Sequence, residues 1–279
     1  MNKIYKGVIK LKRLLNSIII GISYVIPGVC SSTTANSLGE YQNILEVTGN
    51  FYRLSVLKKH FILILGILIG GILSVIGLSL IIHNYICIIL SIFLGLNIAL
   101  FKFNYVNIQS IIFSILGIVV VILLTINFNI SFNNSIFAYV VSGFVVGLGF
   151  ILPGLSGSLL MLSMGVYQDI LFRINLMLNG KFHLDLNIIL FAAALIIGIV
   201  FWSKILFKQL KKHNNNFISF IKGMSISGIA LLSHETFSGI KEIWLIILLV
   251  GLTVLTFIIV QIVKKMREKV AYEWNSNSK

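Results

Sequence analysis

The chain has 279 residues, of which 58% are hydrophobic and 11% charged, with a formal net charge of +14 and a mean hydropathy of +1.02. Soluble domains carry charge on about a quarter of their residues, so this composition excludes one and marks a polytopic membrane protein. In a soluble chain the positive charge would suggest nucleic acid, but here Lys and Arg fall in short loops and tails between apolar runs, where they orient helices and attract anionic headgroups.

The N-terminus places Lys3, Lys6, Lys10, Lys12 and Arg13 ahead of an apolar stretch from Leu14 to Ile26. No small-x-small cleavage site follows, and "IPGVC" lacks the small residue that a lipoprotein signal needs beside its cysteine, so the stretch is expected to be retained. It leads into "GISYVIPGVCSSTTANSLGEYQNIL" (Gly21 to Leu45), which holds Pro27, one of only two prolines. Apolar runs follow near 61–82, 85–101, 106–126 and 135–152, approaching or reaching the roughly 20 residues that span a bilayer. The last leads into the second proline, Pro153, inside "GLGFILPGLSGSLLMLSMGVYQDIL" (Gly147 to Leu171), and further runs lie near 186–207, 217–232 and 243–263. The two cysteines, Cys30 and Cys87, and the histidines His60, His83, His183, His213 and His234 show no metal-ligand spacing, and no cofactor is expected.

A shift of 126 residues lays the two proline segments on each other. Gly21 meets Gly147, Pro27 meets Pro153, Gly28 meets Gly154 and Ser32 meets Ser158; Ser37 meets Ser163, Gly39 meets Gly165, and Tyr41-Gln42 meets Tyr167-Gln168. Apolar coincidences mean little in a membrane protein, but matched Pro-Gly, Gly and Tyr-Gln indicate duplication, with halves of about 1–130 and 131–279. Each half is expected to be a Pro-Gly-broken re-entrant helical hairpin followed by about three transmembrane helices. If each hairpin returns to its own side, the second half is inverted. With both termini in the cytoplasm, the N-terminal cluster, Arg53, Lys58, Lys59, Lys102, Lys204, Lys208, Lys211, Lys212, Lys222 and the C-terminal cluster then fall inside, leaving Arg173, Lys181 and Lys241 outside. Single crossings would instead put Arg53, Lys58, Lys59 and Lys102 outside, so the positive-inside rule favours the hairpins.

Proline breaks a helix, and Gly28 and Gly154 permit a sharp change of direction. Exposed turn backbone cannot face lipid, so these turns must be buried in protein or line a wet cavity. Cys30, Ser31, Ser32, Thr33 and Thr34 follow the first turn, and Ser156, Gly157 and Ser158 the second. As the start of a returning helix they would offer free N–H groups and hydroxyls to an anion, phosphate foremost. The competing reading is that small hydroxylic residues serve helix packing and satisfy backbone groups freed at the kink. Glu40 and Asp169 are candidates for coupling to a proton or sodium ion, although Asn43 is the true counterpart of Asp169; Arg53 and Arg173 are candidate headgroup partners.

"PGVCSST" followed by "GEYQNIL", and "ILPGLSGSLLMLSMGVYQDIL", resemble the paired signatures of the bacterial polyprenyl-phosphate translocases, a family long catalogued as a domain of unknown function. There the first signature reads roughly P-G-V-S-G-G-T and the second P-G-I-S-G-S, each followed by Gly-x-Tyr. The runs "LGILIGGIL" and "IIGIVFWSKIL" also look familial. The resemblance implies a multi-pass bacterial plasma-membrane protein that returns undecaprenyl phosphate, an anionic isoprenoid lipid, from the outer to the inner leaflet. The matching residues are Pro27, Gly28 and Thr33, then Pro153, Gly154, Ser156, Gly157 and Ser158. The first motif departs from the pattern, with Cys30, Ser31 and Ser32 replacing a serine and two glycines, and Ser23 and Tyr24 standing where an acidic residue is usual.

The expected function is therefore lipid-phosphate translocation within the bilayer. No Walker-type phosphate loop is present, which leaves an ion gradient as the driving force. The alternatives are a secondary transporter or channel for a small soluble solute or anion, and a membrane enzyme such as a lipid phosphatase. The last would need a nucleophile with basic partners, a constellation the sequence lacks, so a non-enzymatic role is expected.

Overall fold

The computed structural model describes residues 3–26, 28–101, 107–125, 136–178, 186–212, 215–240 and 242–277; Pro27 lies outside them. All regular structure in them is helical. In chain order the elements are α1 (Lys3–Val25), α2 (Ser31–Ser37), α3 (Tyr41–Gly49), α4 (Leu54–Lys59), α5 (Phe61–Leu100), α6 (Ile108–Thr125), α7 (Ile136–Ile151), α8 (Gly157–Ser163), α9 (Tyr167–Leu178), α10 (Leu186–Lys211), α11 (Asn215–Phe237) and α12 (Ile243–Asn277).

Four helical stretches are long and apolar enough to cross a membrane, Ile108–Thr125, Leu186–Lys211, Asn215–Phe237 and Ile243–Lys265, and Phe61–Ser74, Cys87–Leu100 and Ile136–Ile151 are shorter apolar helices. Their outer faces expose large apolar side chains, among them Ile108, Ile112 and Ile115 on α6 and Ile243, Trp244 and Ile247 on α12. Water would penalise such faces, whereas hydrocarbon solvates them. Together with the composition, this makes the chain an integral membrane protein.

The chain folds back on itself at the first motif. Asn16 Nδ2 on α1 donates to Leu38 O at 3.5 Å, and Arg13 Nε lies 3.5 Å from Glu40 Oε2, so α2 runs back along α1 to the level of Arg13. His60, at the head of α5, sits at that same level, with Arg13 Nη2 2.5 Å from its Nδ1. From there α5 runs alongside α1 in the same direction, Gly66 facing Leu14 and Ser17 and Gly70 facing Ile18 and Gly21. The approach is so close that a Cβ on Gly70 would meet the backbone of Ile18.

Further along, Leu90, Phe93 and Leu94 pack on Ile26 and Val29 at the tip of the hairpin, while Leu100 and Phe101 share a cavity wall with Lys12 and Asn16 near its foot. A straight 40-residue helix would be about 60 Å long and could not have both ends beside the foot of α1. The limbs 61–74 and 87–100 of α5 therefore run in opposite directions, and they correspond to the apolar runs 61–82 and 85–101.

The second half uses the same parts in the same register. At a shift of 126 residues α2 falls on α8, each of seven residues, and Tyr41, which opens α3, falls on Tyr167, which opens α9. The matched glycines share positive φ angles, 81° at Gly28 and 84° at Gly154, 77° at Gly39 and 71° at Gly165. As α1 does with α5, α7 runs alongside α10 in the same direction, Gly143 facing Phe191 and Gly147 facing Gly198, with Trp202 Nε1 donating to Phe144 O at 3.2 Å. The far end of α10 arrives at the foot of the first hairpin, where Thr48 Oγ1 and Ser203 Oγ are 2.7 Å apart and Lys204 touches Gly49. Thus α10 ends at the level where α5 begins.

A polar cluster closes that foot. Arg13 donates to His60 Nδ1, which leaves Nε2–H to donate to Glu46 Oε2 at 3.1 Å, and Lys59 Nζ reaches both Glu46 oxygens at 2.9 Å. Asn43 Nδ2 donates to Glu40 Oε2 at 2.7 Å. Burial pushes His60 below its ordinary 6.5; the bond to Glu46 opposes this and the Arg13 cation adds to it. Burial alone would raise Glu46, but Lys59 and His60 outweigh it and hold the carboxyl below 4.5.

Two predictions follow from this packing. Gly70→Leu forces α1 and α5 apart and is expected to lower stability by about 1–3 kcal/mol. Gly251→Leu, where an added Cβ meets nothing within 4 Å, should leave thermal unfolding in detergent unchanged. Both titratable groups at the foot are depressed in the folded state, so protons bind the unfolded chain more readily, and stability present above pH 6.5 is lost as pH falls below it, first through His60 and then through Glu46. The thermal midpoint should therefore drop between about pH 7 and about pH 5. His60→Gln should flatten that drop.

Candidate functional site

The two proline motifs, 126 residues apart in sequence, meet in the interior. Ser32 Oγ donates to Leu152 O at 2.8 Å, the Gly154 N–H donates to Thr33 Oγ1 at 2.8 Å, and the Cys30 thiol lies 3.2 Å from Leu155 O and 3.9 Å from Leu152 O. Cys30 Sγ also lies 3.1 Å from Ser32 Oγ. One motif's side chains thus satisfy the backbone that the other motif's break leaves free. Exposed in an apolar interior, each of those groups would cost several kcal/mol.

The surroundings press these partners together. Ser31, Ser32, Thr33 and Thr34 are buried, and Leu155 is fully enclosed. Asn97 on α5 donates to Thr34 Oγ1 at 3.3 Å, which itself donates to Cys30 O at 3.3 Å. Gly228 on α11 lies against both motifs; a Cβ there would come within 2.5 Å of Thr33 Oγ1 and 2.8 Å of the Gly154 Cα. A Cβ on Gly154 would meet the Met224 carbonyl, and its φ of 84° is a conformation that other residues rarely adopt. A single core joins the halves around this point, with Tyr41 and Leu45 packed among Leu152, Leu155, Leu206 and Met224.

Of the residues singled out in the sequence, Cys30, Ser32, Thr33 and Gly154 are brought into direct contact. Gly28 lies near Leu90 and Glu235. Pro153 forms the second turn, Ser156 stands at the N-terminal boundary of α8, and Gly157 opens the helix with Phe150 packed across the space where its Cβ would be. Pro27, and the side chain of Ser158, lie outside the described residues. Ser32 and Thr33, expected as donors to an anion, are here engaged with backbone, as the packing reading has it.

Glu40 and Asp169 lie away from the tips, at the feet of their hairpins. Glu40 pairs with Arg13 and Asn43, while Asp169 accepts from the Tyr139 hydroxyl and from Arg173 Nε at 2.7 Å, with Arg173 also 5.6 Å from the centre of the Tyr139 ring. At the 126-residue shift Arg13 falls on Tyr139, so both feet are tied from the same position of the first helix, by different chemistry. Arg53 is exposed beside Tyr52, at a groove it shares with Lys204, Lys208, Lys211 and Lys212. Arg13, Glu46 and His60 were not singled out by sequence reasoning, which took Arg13 as a topology signal and His60 as a scattered histidine.

A family model described as VCA0040-like, undecaprenyl phosphate translocase-like, matches residues 20–236, a span that takes in both proline motifs and the helices between them. No curated protein and no solved structure matches the chain. Spanning well over half of the sequence, the match places this chain in the family of undecaprenyl phosphate translocase-like proteins.

Proposed function

We propose that this protein carries undecaprenyl phosphate from the outer to the inner leaflet of a bacterial plasma membrane, returning the lipid carrier to cell-wall synthesis, with a proton or sodium gradient as the driving force. Residues 1–130 and 131–279 form two inverted repeats, each with a re-entrant hairpin, and both termini are cytoplasmic. Family membership supports the substrate. The hairpin reading is supported by the return of the chain from Asn16 to Leu38 and from Arg13 to Glu40 and His60. Inversion is supported by α10 ending at the foot where α5 begins. The cytoplasmic assignment of that foot is supported by its cations, with Arg53, Lys204, Lys208, Lys211 and Lys212 around one groove and Lys59 beside it.

The observation that carries the mechanism is the interlock of the two motifs through Ser32, Thr33 and Cys30. These bonds join one half to the other, so rocking of the halves exchanges them for bonds to a phosphate group, with no backbone group left unpaired in either state. Pro27, Gly28, Ser31, Pro153, Ser156, Gly157 and Ser158 shape and line the path that opens. Glu40 and Asp169 sense the coupling ion, with Arg53 and Arg173 meeting the headgroup at opposite surfaces. No bond is made or broken; the polar path lowers the barrier that hydrocarbon presents to a charged headgroup.

Thr48→Cys with Ser203→Cys, in a Cys87→Ala background, places two thiols where hydroxyl oxygens are 2.7 Å apart across the halves. In liposomes holding labelled undecaprenyl phosphate, oxidation of this variant should stop leaflet exchange and reduction should restore it. Exchange no faster than in empty liposomes, with and without an ion gradient, would overturn the proposal.

A further inference from the structure

A cavity of about 590 Å³ opens at the foot of the first hairpin, between α1, the end of α2, the start of α3, the second limb of α5, the end of α10, α11 and α12. It is distinct from the meeting point of the motifs, whose contact residues Cys30, Ser32, Thr33 and Gly154 are not in its wall. Its chemistry divides in two. One part is polar and cationic: Lys12, Lys222 and Lys264 stand around it, with Asn16, Asn36 and Ser37 beneath, and no carboxylate is in its wall among the described residues. The other part is aliphatic, with Leu96 and Leu100 of α5 opposite Val260 and Val263 of α12. Ser37, in the wall, carries a buried hydroxyl with no hydrogen-bond partner among the described residues. Buried polar atoms are nearly always paired, and this hydroxyl is one that a ligand's polar group can answer.

We infer that this cavity is a binding site for a lipid-borne phosphate monoester, its headgroup among Lys12, Lys264 and Ser37 and its chain between α5 and α12. Lys12 and Lys264, with no carboxylate beside them in the described wall, select an anion, and the aliphatic side selects one that carries a hydrocarbon chain over a free ion. The volume falls within the usual range of small-ligand sites, roughly 300–1,000 Å³. Asn36 donates to Ser225 Oγ at 2.8 Å and so ties the wall of the cavity to α11, close to the interlocked motifs. The inference rests on the translocase reading and gives it a waiting place for the headgroup on the side where α1 begins. This is the leaflet at which the proposed transport ends.

Equilibrium binding of radiolabelled farnesyl phosphate to the full chain in nanodiscs of neutral lipid tests it. Lys12→Gln with Lys264→Gln should weaken binding about tenfold, as expected for losing charge-assisted contacts, and Lys12→Arg should retain it. Ser37→Ala should weaken it by a smaller factor. Lys208→Gln with Lys212→Gln removes the same charge from the neighbouring groove and should have no effect. Equal weakening by the two double variants would mean that surface charge alone attracts the probe, and would overturn the inference. So would displacement by inorganic phosphate at the same concentration as by unlabelled farnesyl phosphate, or equal binding of farnesol. Binding that follows this pattern in a protein without leaflet exchange would keep the site and reject the translocase, whereas exchange untouched by Lys12→Gln with Lys264→Gln would do the reverse.

Discussion

A helix broken inside an apolar medium leaves N–H and C=O groups that water cannot reach, and most of this molecule follows from how those groups are answered. Each turn closes part of its own break, Val29 N–H donating to Ile26 O at 3.3 Å and Leu155 N–H to Leu152 O at 3.4 Å, but the second needs more. The backbone freed around Pro153 is met by the side chains that follow Pro27, through Ser32, Thr33 and Cys30. The two turns must therefore touch, and the helices behind them must come close enough to allow it. Gly228 lacks a side chain where both motifs press against α11, and Gly66, Gly70, Gly143 and Gly147 let α1 and α7 lie against their neighbours at backbone distance. Such close approaches replace the hydrophobic driving force that is absent between helices in lipid.

Much of this could be read from the sequence. Two prolines, the 126-residue repeat and the paired glycines located both turns, and the seven-residue helices after them begin and end in the register the repeat implies. These features are legible because they are local: a proline breaks its own helix, and a glycine at positive φ is needed whatever lies nearby. The limbs of α5 were legible as two apolar runs for the same reason.

What the sequence withheld depends on partners far away in the chain. It offered Ser32 and Thr33 either to an anion or to freed backbone, and only the apposition of the halves shows them holding backbone. His60 looked like a stray histidine because its partners, Arg13 and Glu46, lie 47 and 14 residues away. The cavity at the foot was invisible for a further reason: seven helices build it, and its most telling feature is a Ser37 hydroxyl with no partner among the described residues. A pattern search finds what residues resemble, and it has no way to register an unmet bond.

The two hairpins are copies, yet their feet are tied by different residues. One is closed by Arg13, Glu40, His60 and Glu46, a set with a titrating imidazole at its centre; the other is closed by Tyr139, Asp169 and Arg173. On the proposed reading of two inverted halves, identical feet would give the inward-facing and outward-facing arrangements equal free energy. Unequal fastenings lift that degeneracy. On that reading they favour one arrangement over the other at rest, and the imidazole of His60 makes the strength of the first fastening depend on the acidity around it.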